Sequence, residues 1–114
     1  MPNIRKRLYG PALLTNAAAT LYTTPANTKT KVSFIHVQNP TGSPVTLTIS
    51  IGPDAASKRI FDAYSIPAAA AGVPNSVLPF FCDFILEETE VIQGFAGTNN
   101  VMTITIDGEE NVLG

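Results

Sequence analysis

The stretch VTLTISI, residues 45–51, alternates without a break. Val45, Leu47, Ile49 and Ile51 fall on one side, and Thr46, Thr48 and Ser50 on the other. An extended chain sends successive side chains to opposite faces, so this period of two demands a half-buried strand. VMTITIDGEE, residues 101–110, repeats the pattern, with Met102, Ile104 and Ile106 opposite Thr103, Thr105 and Asp107. Five further runs are rich in β-branched and aromatic residues: TLYTTP, KVSFIHVQN, RIFDAYSI, SVLPFFCDFIL and VIQGFAG. The 9 prolines and 8 glycines mostly punctuate between these runs, as turn residues do. No stretch has the period of a long amphipathic helix. Short strands with turn signals at roughly 8–12-residue spacing are the pattern of a sandwich or barrel. The expected fold is all-β: an antiparallel β-sandwich, jelly-roll or Ig-like, of about seven or eight strands. Its core should hold Val45, Leu47, Ile49, Ile51, Phe84, Leu86, Met102, Ile104 and Ile106. Pro79 marks its run as an edge strand or the site of a bulge.

A chain of 114 residues suits one domain with one modest core. The first 19 residues lack the alternation. Gly10-Pro11 reads as a turn, and TNAAAT is too short to hold a helix alone. The expected organisation is an extended N-terminal arm over 1–19 and a single sandwich domain over 20–114. PAAAAGVPN, 67–75, reads as a loop bounded by proline at each end.

Charge is sorted along the chain. Arg5, Lys6, Arg7, Lys29 and Lys31 occupy the first 31 residues with no acid among them. Asp83, Glu87, Glu88, Glu90, Asp107, Glu109 and Glu110 occupy residues 82–114 with no base. Ends of opposite sign attract, within one molecule or between neighbours. Three readings of the basic leader follow: an arm laid on acids of another subunit, a solvated terminus, or a nucleic-acid contact. The last is disfavoured, because no further Arg or Lys extends the patch along a phosphate backbone. Charged residues make up only 14% of the chain, against an average near 25%. Such a surface loses few ionic hydration shells when it is covered by other subunits.

No apolar run reaches the ~18–20 residues of a membrane span, so no membrane partner is expected. The opening is not expected to be a signal peptide, since LYGPALLTNAAAT is broken by Gly10, Pro11 and Asn16. The single cysteine, Cys82, forms no internal disulfide and reads as a small buried hydrophobe.

Reaction chemistry finds little footing. One His and one Cys cannot supply a four-ligand zinc site. EETE (87–90) and DGEE (107–110) lack the spaced oxygens of a calcium loop. His36 should share a strand face with Val32, Phe34 and Gln38, and it has no nucleophile placed beside it in sequence. A carboxylate pair drawn from Asp62, Asp83 or Glu87 is the remaining catalytic option. With no Trp and only 3 Tyr, platforms for sugar rings are scarce. Neither an enzyme nor a cofactor or metal is expected.

The stretch TLYTTPANTKTKVSFIHVQNPTGSPVTLTISIG resembles a pattern of small virion structural proteins of tailed bacteriophages. The matching positions are Leu21, Tyr22, Pro25, Asn39, Gly42, Leu47, Gly52, Leu86, Gly94, Ile104, Ile106, Gly108 and Glu109. They cover about residues 20–110 and form a pattern of strands and turns, with no catalytic signature. The resemblance implies a β-sandwich component of a virus particle, assembled in the host cytoplasm. Capsid decoration (cement) proteins, head–tail or tail components and fibre domains all fall within it. Short length and a leader favour a capsid decoration protein, a homo-oligomer with a trimer favoured, bound to the major capsid protein or other virion subunits. The partner-binding arm would be Arg5, Lys6, Arg7, Leu8, Tyr9, Leu13 and Leu14, cations for a neighbour's acids and apolar anchors for its surface. On this reading, deleting residues 1–14 leaves a folded domain that no longer binds particles. A tail or head–tail component, or a glycan-binding sandwich module, is the alternative.

Overall fold

The computed structural model describes residues 3–69 and 76–113. The chain forms eight strands: β1 (Asn3–Leu13), β2 (Ala19–Thr23), β3 (Thr28–Asn39), β4 (Val45–Ile51), β5 (Arg59–Ile66), β6 (Ser76–Leu86), β7 (Val91–Ala96) and β8 (Thr103–Val112). A single 3-10 turn, Ala56–Lys58, precedes β5. The strands build two four-stranded sheets, ordered β1-β8-β3-β6 and β2-β7-β4-β5. Every pairing is antiparallel. Most connections cross from one sheet to the other, so sequence neighbours face each other through the core. Eight strands wound this way are the double Greek key of a jelly roll, which decides between the two expected sandwich types.

The inward residues of both sheets meet in one core. Val32, Ile35, Val37, Leu86, Met102, Ile104 and Ile106 come from the first sheet and its approaches. Leu21, Val45, Leu47, Ile49, Ile66, Ile92 and Ala96 come from the second. Seven of the nine expected core residues are buried; Ile51 and Phe84 pack at its margin. Pro79 lies in β6, an outer strand of its sheet, where a missing N–H costs least.

The leader is a strand. Asn3–Leu13 lies antiparallel on β8, from Asn3 opposite Asn111 to Leu13 opposite Thr103. The register slips twice, between Arg7 and Tyr9 and between Tyr9 and Ala12. Gly10 sits in the second slip, within the strand rather than in the turn its sequence suggested. Its φ of +82° and the closeness of Ile104 O, 2.2 Å from where a Cβ would stand, leave room only for glycine. Residues 3–13 are thus a strand of the first sheet, joined to β2 by residues 14–18, with Met1 and Pro2 lying outside the described residues. Of the expected loop over 67–75, residues 70–75 also lie outside them.

Buried polar groups close the two ends of the sandwich. Asn39, fully buried at the end of β3, donates from Nδ2 to the carbonyls of Ser43 (3.0 Å), Ile66 (3.2 Å) and Pro67 (3.1 Å). Its Oδ1 accepts from Thr41 N (3.1 Å) and Thr41 Oγ1 (2.7 Å). One side chain thus ties the β3–β4 turn to the end of β5, a structural reason for Asn at this position. At the other end, buried Glu110 of β8 accepts from the Tyr22 hydroxyl of β2. Tyr22 Oη also lies 2.9 Å from Thr30 Oγ1 on β3. A carboxylate so placed needs these donors, since an unpaired buried charge costs several kcal/mol.

Candidate intermolecular surfaces

The basic leader meets the acidic C-terminal strand within this chain. Arg5 stands opposite Glu109, Lys6 opposite Gly108, and Arg7 opposite Asp107. Lys6 Nζ reaches Glu110 Oε1 at 3.4 Å, linking the leader to the Tyr22–Thr30 cluster. Burial first, then the hydrogen bond to Glu110, pushes the Tyr22 hydroxyl up to about 12. The charge gradient therefore brings opposite charges face to face inside the molecule, along an end strand whose apolar pattern is weak. Opposite charges facing each other across an antiparallel pair each contribute about 0.2–1 kcal/mol.

The seven leader residues divide into two groups. Leu8 and Leu14 are buried in this chain's own core, and Tyr9 packs against it. Gly108 makes the Leu8 contact tight: a Cβ there would stand 2.3 Å from Lys31 O and 2.7 Å from Leu8 Cδ1. Arg5, Lys6, Arg7 and Leu13 are exposed, Leu13 to 50%. Deleting residues 1–14 would strip β1 from β8 and open the core. The expectation that the truncated domain stays intact does not fit this packing.

Arg5, Lys6, Lys31, Ser33, Asp107, Gly108 and Glu109 line an open hollow of about 520 Å³ on the outer face of the first sheet. Both signs of charge line it, so it favours neither anion nor cation.

The three carboxylates weighed as a catalytic pair are separated. Asp62 is on β5 in the second sheet, bound by Arg59 Nη1 at 2.8 Å. Asp83 and Glu87 belong to β6 and its end in the first sheet, beside Lys31 (3.6 Å) and Lys29 (3.5 Å). Arg59 also forks onto Asp54 at 2.9 and 3.1 Å, and this hydrogen bonding holds the Asp54 carboxyl below its ordinary value. His36 shares its face with Phe34, ring centroids 6.1 Å apart. It does not share that face with Val32, which is buried. A register slip between Val32 and Phe34 turns the strand over. Cys82 is half-buried, with Sγ donating to Val32 O at 3.4 Å, and burial pushes its thiol up. Such a thiol is a poor nucleophile. Among the described residues no cluster of His, Cys, Asp or Glu fits a metal ion, and no helix is long and apolar enough to cross a membrane.

A second surface was not singled out from sequence. β6 turns Val77, Pro79, Phe81, Asp83 and Ile85 outward. Phe81 is 79% exposed, the most of any large apolar side chain described, and Val77 and Ile85 are about half exposed. Phe34 of β3 lies against Phe81, centroids 4.7 Å apart. The signal was in SVLPFFCDFIL: both phases of its alternation are apolar, so a strand with one face in the core must show the other phase to something else.

The jelly roll has counterparts in virus shells. The chain is similar to one in the acidic stable capsid structure of Helicobacter pylori bacteriophage KHP30, with a TM-score of 0.52 and 15% identity. That match covers 95% of this chain and 94% of the other. It is also similar to part of a chain in the structure of infectious bursal disease virus Gx strain, TM-score 0.51 and 11% identity. There it covers 96% of this chain but only 31% of the other. At these identities the likeness is one of fold. No protein-family model and no curated protein matches the sequence.

Proposed function

We propose that this protein is a virion structural protein of a phage, and specifically a capsid decoration (cement) protein. The observation that carries the reading is the end-to-end match with a chain of the KHP30 capsid structure. The two chains have nearly the same length, and one jelly roll accounts for both. A jelly roll by itself also serves lectins and cupins. Low charge and an outer sheet face with exposed aromatic and aliphatic side chains favour assembly over recognition of a soluble ligand.

The mechanism is surface burial across joints between subunits. Each bound copy stabilises the shell by mass action, since it binds the assembled lattice and not the free subunit. In the leader, Arg5, Arg7 and Leu13 are the members turned outward, and they are the ones offered to acids and apolar surface on a neighbour. Leu8, Tyr9 and Leu14 hold the strand that presents them. Self-association, as a trimer or otherwise, supplies several such leaders at once and so raises avidity. The protein then resides in the virion, after assembly in the host cytoplasm.

The test is copy number in purified particles, measured by quantitative mass spectrometry against the major shell protein. A ratio near the shell stoichiometry is expected. A handful of copies would place the protein in the tail or head–tail joint instead, and none would end the virion reading. Arg5→Gln with Arg7→Gln, which removes the cations without setting like charges opposite Glu109 and Asp107, should keep the fold and lose particle binding, whereas unchanged binding would remove the leader's cations from the interface.

A further inference from the structure

Four strands lie at the margins of the two sheets, and three are guarded against pairing with another chain. β1 carries Arg5, Lys6 and Arg7 in succession, so a second β1 is repelled. β2 has only five residues. β5 is interrupted by Ala63, held at φ +50° with its N–H on Thr48 Oγ1 at 3.0 Å. β6 is long, eleven residues, and its outward stripe holds one charge, Asp83, already beside Lys31. Phe61, Phe80 and Phe84 back the stripe from within, Phe61 and Phe80 edge to face at 4.8 Å. Adding Phe34 and Phe81, five of the 6 phenylalanines gather on this side of the molecule.

The stripe is symmetric about Phe81. Val77 precedes it by four residues and Ile85 follows it by four. We propose that the outer face of β6 is a contact between two copies of this chain, related by a two-fold axis through Phe81. Antiparallel β6 strands then set Phe81 against Phe81 and Val77 against Ile85 of the other copy. Asp83 of one copy falls opposite Pro79 of the other, whose neighbour on β3 is His36. In this arrangement each carboxylate approaches an imidazole, whose N–H is a hydrogen-bond donor for it. The two Asp83 side chains stay roughly 13 Å apart along the strand, beyond a Debye length at physiological salt. An isologous contact needs a patch that complements itself, and this one does.

The size of the patch sets the strength. Val77, Phe81 and Ile85 expose on the order of 300 Å², well short of the roughly 800 Å² per partner of a standard interface. Dilute copies therefore dimerise weakly, and copies already held side by side dimerise readily. The contact does not depend on the virion reading.

Sedimentation equilibrium of the full chain from about 10 μM to about 1 mM should show a monomer–dimer equilibrium. Phe81→Ser should keep the circular dichroism spectrum and melting temperature while raising the dimer dissociation constant about 100-fold, one lost anchor in each copy. In a Cys82→Ser background, Phe81→Cys should give disulfide-linked dimers with oxidised glutathione. Val77→Cys alone should not, but Val77→Cys mixed with Ile85→Cys should. A wild-type chain that stays monomeric at about 1 mM would overturn the proposal, and so would dimers unmoved by Phe81→Ser. Cross-linking that is no greater at residue 81 than with Ala18→Cys, an exposed position far along the chain, would also overturn it.

Discussion

The two outer strands of the first sheet solve the same problem in opposite ways. β1 is polar and cationic, yet it is fastened inward, through Leu8 and Leu14 in the core and Lys6 on Glu110. β6 sends Leu78, Phe80, Cys82, Phe84 and Leu86 inward and still leaves Phe81 79% exposed on its other face. On β1 the charges discourage a further strand, and Leu8 is taken into the chain's own core while Ile4 and Leu13 stay about half exposed at the two ends of the strand. On β6 the apolar residues exceed what one core absorbs. Where a marginal strand has surplus apolar surface it points to a partner, and where its charges are matched at home it points to contacts within the chain.

That contrast yields measurements, the largest effect first. Leu14→Ala should lower unfolding free energy by about 2–5 kcal/mol in denaturant titration, as for any fully buried leucine. Leu13→Ala, one residue away and exposed, should stay within about 0.5 kcal/mol. Equal effects would mean that the leader is not anchored as described. Glu110→Ala should cost about 3 kcal/mol, because it leaves the Tyr22 hydroxyl and Lys6 without their acceptor.

The Tyr22 hydroxyl gives a pH signature to the β1 end. Its value is raised to about 12 from the ordinary 10.0. A raised value means that folding favours the protonated form. Its contribution is thus complete below pH 10 and lost as pH rises through about 12. Thermal melts should show an alkaline loss of stability in that window, and Tyr22→Phe should flatten it. Phe81→Ser is the counterweight on β6, moving monomer stability by no more than about 0.5 kcal/mol. The smallest effect belongs to Asp54, whose value is lowered by Arg59. Its stabilising contribution is present above the ordinary 3.8 and fades as pH falls below it. Asp54→Asn should remove a slight acid-side slope in the melting temperature.

Much of the architecture was readable in the residues. VTLTISI is β4 to the residue, and RIFDAYSI and SVLPFFCDFIL are β5 and β6. Each is bounded by proline or by a turn, and each has an apolar phase to set its face. β1 was hidden for a physical reason. Leu8 and Leu14 share one phase of the period of two, but Gly10 and Ala12 are the residues of that phase between them and Gly10-Pro11 reads as a turn, so no apolar stripe shows. A register slip misplaced His36 relative to Val32, since a bulge is invisible to a strict period of two. The leader cations were legible as charge but not as geometry: their acids lay a hundred positions away, and only the strand order joined them. Phe81 was obscured by plenty, because an apolar residue among apolar residues gives no hint of which phase points out.

The meeting of Asn3 with Asn111 has a practical side. Both ends of the described chain leave the domain at one corner, a strand's width apart. A passenger fused to either end would hang from the same spot. A linker of a few residues would join the ends into a ring, to be reopened at an exposed turn such as the one before β5. Cargo hung there stands next to Arg5 and Arg7, so a display fusion needs a spacer long enough to clear the leader.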